Sequence, residues 1–396
     1  MPEASSTSSQ QVATNLLSQC ETIASSKKIL PLISKRLEEN GLVGESTNAQ
    51  LLYLAATTRL LPKPVSAVVK GPSSAGKSFL LEKVMELFDP TAYKSVSGMS
   101  EKAIVRTAED LQHQCLVIGE LSGIDGDKGF RFLRQLMSEG RVNYMTVDPN
   151  ADGFDGVTIN VEGPVSVLMT TTEKRLFHED ETRFLSLYLD HSPAQQKQIF
   201  LAQARARNRA SRPSSNNSDW HAFSRWLAED IRDVDIPFAE GIAKGIDYTE
   251  NRLKRDMNHV YSLIEASAII HRQNRDVTEE NLIVATIEDY ENIYPLVNLV
   301  LSHSQSIELS PQDEELLELV ATMHAHSSSG GAKQSEIEGR FQVDSTVISK
   351  RISRLCELGR LRKERSERDG RVNLLFPVEQ EQKKSGILPE PSTIAI

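Results

Sequence analysis

Apolar residues recur at helical spacing from about Val12 to Leu42, as in LLSQCETIASSKKILPLISKRL. The pattern predicts two helices broken near Pro31, and a further helix from Asn48 through NAQLLYLAATTRLL. The period then changes. VSAVV (65–69), CLVIG (115–119), VSVLMT (165–170) and FLSLYL (184–189) are short apolar runs of the kind buried on both faces of a sheet. RVNYMTV (141–147) and VTIN (157–160) alternate instead and flank the turn sequence DPNADGFDG, which predicts a hairpin. Strands interleaved with helices such as FLLEKVMELF predict a parallel sheet covered on both faces.

Polar stretches divide the chain. Residues 1–10 are rich in Ser, Thr and Gln and read as disordered. The expected organisation is an N-terminal tail with helices over 1–46, an α/β core over 47–205, and a linker over 206–218, ARNRASRPSSNNS. A helical lid over 219–306 follows, with caps at Thr249 and Thr278. After the break IELSPQD, residues 307–380 read as three helices and then two strands around a charged turn. Residues 381–396 read as a loose tail.

Composition narrows the class. The 396 residues are 39% apolar and 25% charged, ordinary for a soluble globular protein of two or three domains. No apolar run is long enough to cross a membrane, and the start MPEASSTSSQQ is not a secretory signal. Cys20, Cys115 and Cys356 are far apart and make neither a metal-ligand pair nor a disulfide framework, so a reduced, cytoplasmic protein is expected. The net charge is −10, but Lys350 to Arg371 holds nine Lys/Arg against four Asp/Glu, a local +5 that leaves −15 elsewhere. A basic patch on an acidic body points to a local polyanion site.

The first candidate chemistry lies after the first apolar strand. Gly71, Gly76, Lys77 and Ser78 complete G-x-x-x-x-G-K-[ST] in the segment Gly71, Pro72, Ser73, Ser74, Ala75, Gly76, Lys77, Ser78, Phe79. Small residues let backbone N–H groups curl around a phosphate, and the helix that begins there points its positive end at the same anion. Lys77 can reach the β- and γ-phosphates of ATP, and the Ser78 hydroxyl can take Mg²⁺. Glu120, at the tip of LVIGE, can orient and activate a water, or is a surface glutamate after a core strand. Asp125 and Asp127 lie past the turn and are weaker candidates, and Gly119 sits where a metal-side aspartate is expected. Thr170, Thr171 and Thr172 end another strand, either as a water-positioning group or as a simple strand-end cluster. Arg183 precedes FLSLYL; it either reaches a neighbouring subunit's nucleotide or pairs with Glu179 or Asp180.

In this order, phosphate loop, acid-tipped strand, hairpin, Thr-tipped strand, Arg-Phe and helical lid resemble an AAA+ ATPase module. RFLRQLMSEGRVNY, ETRFLSLYLD and SLIEASAIIHRQNRDVTEENLIVA resemble segments of minichromosome maintenance helicases and of replicative helicases of phages, plasmids and genomic islands. The resemblance covers about residues 50–300 and implies a three-layer parallel sheet with a helical lid. It implies Lys77 and Ser78 for phosphate and Mg²⁺, Glu120 for water activation, Thr171 as sensor, and Arg183 as a finger acting in trans. It also implies a second sensor arginine on the lid, Arg255 or its rival Arg252, and a ring homo-oligomer, a hexamer. The hairpin tip carries Asp152, Phe154 and Asp155 and no lysine, unlike a loop that pushes DNA; Phe154 is left to stack on a base or pack on a neighbour.

The last unit resembles a winged helix-turn-helix. Asp344 or Ser345 caps its second helix, Val347, Ile348, Ile352 and Leu355 form the apolar stripe, and Gly359 closes it. Lys350, Arg351 and Arg354 would face a DNA groove, with Arg362, Lys363, Arg365, Arg368 and Arg371 on the wing. The plain alternative is a module for protein contacts with a solvated charge run. The expected function is an ATP-dependent DNA motor in replication, with residues 12–46 mediating assembly or recruiting a replication or loading partner. The alternatives are a nucleotide-regulated DNA-binding protein and an AAA+ protein remodeller.

Overall fold

The computed structural model describes residues 3–97, 111–120, 126–147, 156–173, 176, 180, 182–190, 192–207, 216–230, 232–246, 253–306, 311–325, 331–341, 344–357, 360–366, 372–378 and 387–394. The chain forms two compact units, residues 1–301 with 387–396, and residues 302–386.

The first unit opens with α1 (Glu3–Ala24), α2 (Ile29–Glu39) and α3 (Ser46–Thr57). Pro31 is not the break. It lies in the first turn of α2, where a missing N–H has no helical partner to lose. The gap falls earlier, between Ala24 and Ile29. Leu16, Cys20, Ile23, Ile29, Ile33 and Leu37 are buried in the main core, so these helices are part of the fold rather than an appendage. Helix α3 is buried on all sides from Leu51 to Thr57, as a helix apolar all round must be.

Behind it stands the sheet. Strand β1 (Ser66–Lys70) leads to α4 (Lys77–Met85). Strands β2 (Tyr93–Val96) and β3 (Gln114–Ile118) precede α5 (Gly126–Glu139) and the hairpin of β4 (Arg141–Val147) and β5 (Gly156–Glu162). Strands β6 (Val165–Thr171) and β7 (Phe184–Tyr188) complete the sheet, in the order β2-β3-β6-β1-β7, all parallel. The four apolar runs are its inner members and one edge. Strand β2, with Lys94 and Ser95 exposed, is the edge the hydrophobic pattern missed. One face carries Ala67, Val69, Leu168 and Leu187 into the core under α1 to α4. The other carries Val68, Leu116, Ile118, Val167 and Met169 against Phe132, Leu133 and Leu136 of α5 and Val142 and Val161 of the hairpin.

Helix α6 (Pro193–Ala206) follows β7. Then come α7 (Ser218–Glu229), strand β8 (Val234–Asp235), α8 (Ala239–Lys244), α9 (Leu253–Ile270), strand β9 (Ile283–Val284) and α10 (Ile287–Ser306). Trp220, Phe223, Leu263, Ile264 and Tyr290 belong to the same buried cluster as α1 to α4, so the expected lid shares one continuous core with the sheet. Thr278 does not cap a helix. It closes a turn, receiving Leu282 N on its hydroxyl at 3.1 Å, and α10 starts only at Ile287, where Asp289 accepts Thr286 N at 3.0 Å. Thr249 lies outside the described residues.

Residues 387–394, within the expected loose tail, are packed instead. Leu388 is buried with Ile394 in the main core, Tyr290 donates its hydroxyl to Pro389 O at 2.7 Å, and Leu388 N donates to Asn298 Oδ1 at 3.3 Å. Two apolar residues in a polar tail are enough to seat it on α10.

The second unit holds α11 (Pro311–Ala325), β10 (Ala332–Lys333), α12 (Gln334–Glu338), α13 (Ser345–Glu357), β11 (Leu361–Arg365) and β12 (Asn373–Pro377). Its sheet is antiparallel in the order β10-β12-β11. Leu316, Val320, Ile337, Ile348, Ile352, Leu355, Leu361 and Leu375 form a separate core. Val347 is the exception to the predicted stripe: it keeps 40% of its surface exposed. No helix among the described residues is long and apolar enough to cross a membrane.

Candidate functional site

The C-terminal ends of β1, β6 and β3 meet at one edge of the first sheet, beside the point where the strand order reverses around β1. In open parallel sheets that edge is where ligands bind. The loop from Gly71 to Gly76 leaves β1 there, with Gly71 N donating to Thr171 O at 3.3 Å as the ladder's last rung. Gly76 has φ +92°, with nothing near a Cβ built on it, so the backbone conformation demands glycine here and space does not. Helix α4 begins at Lys77 immediately after that turn, which leaves its first N–H groups directed at the loop.

Lys77 is buried, and its ammonium donates to Gly71 O at 2.9 Å and Pro72 O at 3.0 Å. It is thus folded back over the loop it belongs to. Two neutral carbonyls hold it, and a phosphate oxygen is a stronger acceptor than either. Ser78 stands exposed in the first turn of α4, and Phe79 is exposed beside it with Lys83 Nζ 5.6 Å from its ring centre.

Glu120 follows β3, two strands from β1. Its Oε1 accepts Thr172 N at 3.3 Å, so the carboxylate leans toward the end of β6, next to the loop. Thr170 donates its hydroxyl to Gly119 O, tying the same two strand ends together. Thr171 is buried, and its hydroxyl accepts Glu173 N at 3.1 Å. The structure therefore brings Lys77, Ser78, Glu120 and Thr171 to one edge. It also places Lys70 there, a buried lysine whose ammonium lies 5.6 Å from the Tyr188 ring centre. A charged residue closing an apolar run was the available signal for it.

Arg183 stands at the other edge. Strands β1 and β7 are parallel with Ser66 opposite Phe184, so Arg183 precedes the start of β7 while Gly71 follows the end of β1. Five residues of strand separate the two levels, about 16 Å. Arg183 donates to Ser138 Oγ at the end of α5, and Arg255 donates to Thr182 Oγ1 beside it. Arg255 therefore shares the edge of Arg183, away from the loop of its own chain. Asp180 does not take the Arg183 guanidinium. It is 1% exposed and pairs with Arg134 of α5, through Nε to Oδ1 and through Nη2 to Oδ2 at 3.1 Å. Sequence reasoning missed Arg134 because its partner lies far along the chain. Asp125, Asp152, Phe154, Asp155, Glu179 and Arg252 lie outside the described residues, and of Asp127 only the backbone, in α5, is described.

In the second unit, Asp344 is the cap of α13. Its Oδ1 accepts Thr346 N at 2.8 Å and the Thr346 hydroxyl at 2.6 Å, and these bonds hold its carboxyl below the usual range. Thr346, Ser349, Lys350, Ser353 and Arg354 lie together along the outer face of α13. Arg354 also approaches the buried Asp313 at 3.7 Å. On β11, Arg362 pairs with Glu364 at 2.7 Å and lies 4.9 Å from the Phe376 ring centre. Lys363 and Arg365 alternate with it and take the opposite face of the strand. Arg351 is half-buried on α13; Gly359, Arg368 and Arg371 lie outside the described residues. Lys350 and Arg354 are thus the basic pair that α13 presents on one face. Compared with known proteins, the chain matches no family model and no curated protein.

Proposed function

We propose that the chain is an ATP-driven motor on DNA that works as a ring of like subunits with shared ATP sites. One observation carries this reading: Lys77, Ser78, Glu120 and Thr171 sit at one edge of the sheet, while Arg183 sits at the other. The first group supplies most of a phosphoryl-transfer site. A neighbour's Arg183 adds a cation beside Lys77 for the charge that develops on the γ-phosphate.

The loop N–H groups and the start of α4 bind the β-phosphate. Lys77 exchanges its two loop carbonyls for phosphate oxygens. Glu120 orients a water and takes its proton, and Thr171 marks the end of β6 beside the γ-phosphate. No group of three His, Cys, Asp or Glu among the described residues holds a metal by itself. Ser78 fits the single protein ligand of a Mg²⁺ otherwise bound by phosphate and water oxygens. Mg²⁺ when bound neutralises charge on the β- and γ-oxygens. The outer face of α13 takes the DNA backbone through Lys350 and Arg354.

The test is steady-state ATP hydrolysis with and without single-stranded DNA, for the wild type, Lys77→Ala, Arg183→Ala and an equimolar mixture of the two variants. The expected result is stimulation by DNA, two dead variants and partial recovery on mixing. Turnover that ignores DNA supports the remodeller instead. Gly119, in place of an acidic residue, favours a second reading, a slow nucleotide-regulated DNA-binding protein; stable DNA binding with negligible turnover would select it.

A further inference from the structure

At the loop edge, β3, β6, β1 and β7 lie side by side. Strands β1 and β6 pair with Lys70 opposite Thr171, and β1 and β7 pair with Lys70 opposite Tyr188. Residues opposite one another in a parallel ladder share a face of the sheet. Val68 and Met169, two residues back, and Phe184, four residues back, belong to the core under α5, so that is the face. The pairing of β3 with β6 sets Ile118 opposite Met169. Two residues on, Glu120 stands beside Thr171, and its Oε1 accepts Thr172 N at 3.3 Å. Glu120, Thr171, Lys70 and Tyr188 thus form one row, a residue from each strand, with about 4.8 Å from strand to strand.

Lys70 is the member of that row without a role so far. It immediately precedes Gly71, where the phosphate loop opens, and it keeps only 1% of its surface exposed. Lysine is rarely buried so deeply. Its ammonium lies 5.6 Å from the Tyr188 ring centre, on the side of Lys70 away from Thr171. The lysine stem is flexible, and a phosphate oxygen is a stronger partner for an ammonium than a ring face is. Thr171, one strand over, is the residue that stands beside the γ-phosphate in the reading above.

We propose that Lys70 is a further catalytic residue of this site, a second lysine that swings from the Tyr188 ring to a γ-phosphate oxygen when ATP binds. The proposal rests on the ATP reading and adds to it a cation from the same chain, in the row of Glu120 and Thr171. Water forms the new bond to phosphorus, the bond to the β-phosphate oxygen breaks, and Glu120 takes the water's proton. Lys70 stays protonated throughout and balances the charge on the γ-phosphate oxygens. Because it meets the γ-phosphate and not the β-phosphate, it separates ATP from ADP.

The experiment titrates the full chain calorimetrically with ADP and with the hydrolysis-resistant ATP analogue AMPPNP, both with Mg²⁺. The samples are wild type, Lys70→Met, Lys70→Gln and Lys70→Arg, each checked for folding by circular dichroism; two neutral variants are made so that one folded chain suffices. The expected result is tighter binding of AMPPNP than of ADP by the wild type. Each neutral variant should lose about tenfold or more in AMPPNP affinity and keep its ADP affinity, and Lys70→Arg should recover part of the loss. Equal weakening for both nucleotides, or none, overturns the proposal and leaves the phosphate loop standing. A wild type that binds neither nucleotide overturns this proposal and the ATP reading together. Turnover in mixtures gives the second arm. Lys70→Met should be rescued by Arg183→Ala and not by Lys77→Ala, since Lys70 and Lys77 share the loop edge; rescue by Lys77→Ala overturns the assignment. Absence of rescue in every mixture sinks the ring, and the titration still decides Lys70.

Discussion

Arg134 and Asp180 form a two-point ion pair that joins α5 to the segment carrying Arg183. Asp180 is buried, so its charge is balanced in the fold by that guanidinium. Asp180→Ala removes the two-point carboxylate partner of a half-buried arginine and should lower stability by about 3 kcal/mol. Arg134→Met/Asp180→Leu together should recover most of that loss, because the pair is replaced by packing. Urea unfolding of the three chains measures both. Equal losses in the single and the paired variant would show that the pair does not act as a unit.

Gly119 is not required by space. A Cβ built there meets Ser97 Cα at 3.6 Å and Val96 O at 3.7 Å, both ordinary contacts. Gly119→Asp should therefore fold, and should raise Mg²⁺-dependent ATP turnover by roughly tenfold by adding an outer carboxylate to the metal side. Unchanged turnover in the folded variant would place the limiting step elsewhere.

The seated chain end makes a stability prediction. Leu388 is fully buried, so Leu388→Ala should cost about 2 kcal/mol in urea unfolding. Deleting residues 387–396 should cost more, since Tyr290 also loses Pro389 O. A tail without structural weight predicts no change in either.

Glu265 gives a pH dependence. Burial first, and then the charge of Asp233, push its carboxyl up to about 7. The folded state then holds a proton that the unfolded state releases near the ordinary value of 4.5. Its contribution to stability is present below that value and is lost as pH rises through about 7. Glu265→Gln should match the wild type at low pH and melt about 2 °C higher above neutrality, a small rise because the group is partly solvated. A constant difference across the pH series would exclude the titration.

DNA binding by the second unit should weaken with salt. Each of Lys350→Ala and Lys363→Ala should reduce the slope of log affinity against log salt by about 0.9, as loss of one phosphate contact does. Arg362→Ala should also lower stability, because its guanidinium covers the Phe376 ring. Salt slopes from anisotropy titrations separate the two effects.

Much of the fold was legible along the chain. Apolar runs marked β1, β3, β6 and β7, alternation marked the hairpin, and the loop motif marked Gly71 to Ser78, because each is local in sequence. Strand β2 was not legible, since an edge strand buries little and carries no apolar run. Nor was the turn at Thr278 to Asn281, where acidic residues after a threonine look like a helix start.

The chain by itself determined the glycine-bearing loop from Gly71 to Ser78, the class of sheet and the basic run after Lys350, each a matter of residue type at short spacing. Tertiary structure alone decided the rest. It set Arg183 and Arg255 at the edge away from the loop, gave Asp180 to Arg134, divided the basic residues of β11 between two faces, and seated Leu388 on α10. These depend on which strands lie side by side and which buried charge finds a partner, and both are settled by packing between residues far apart in the chain.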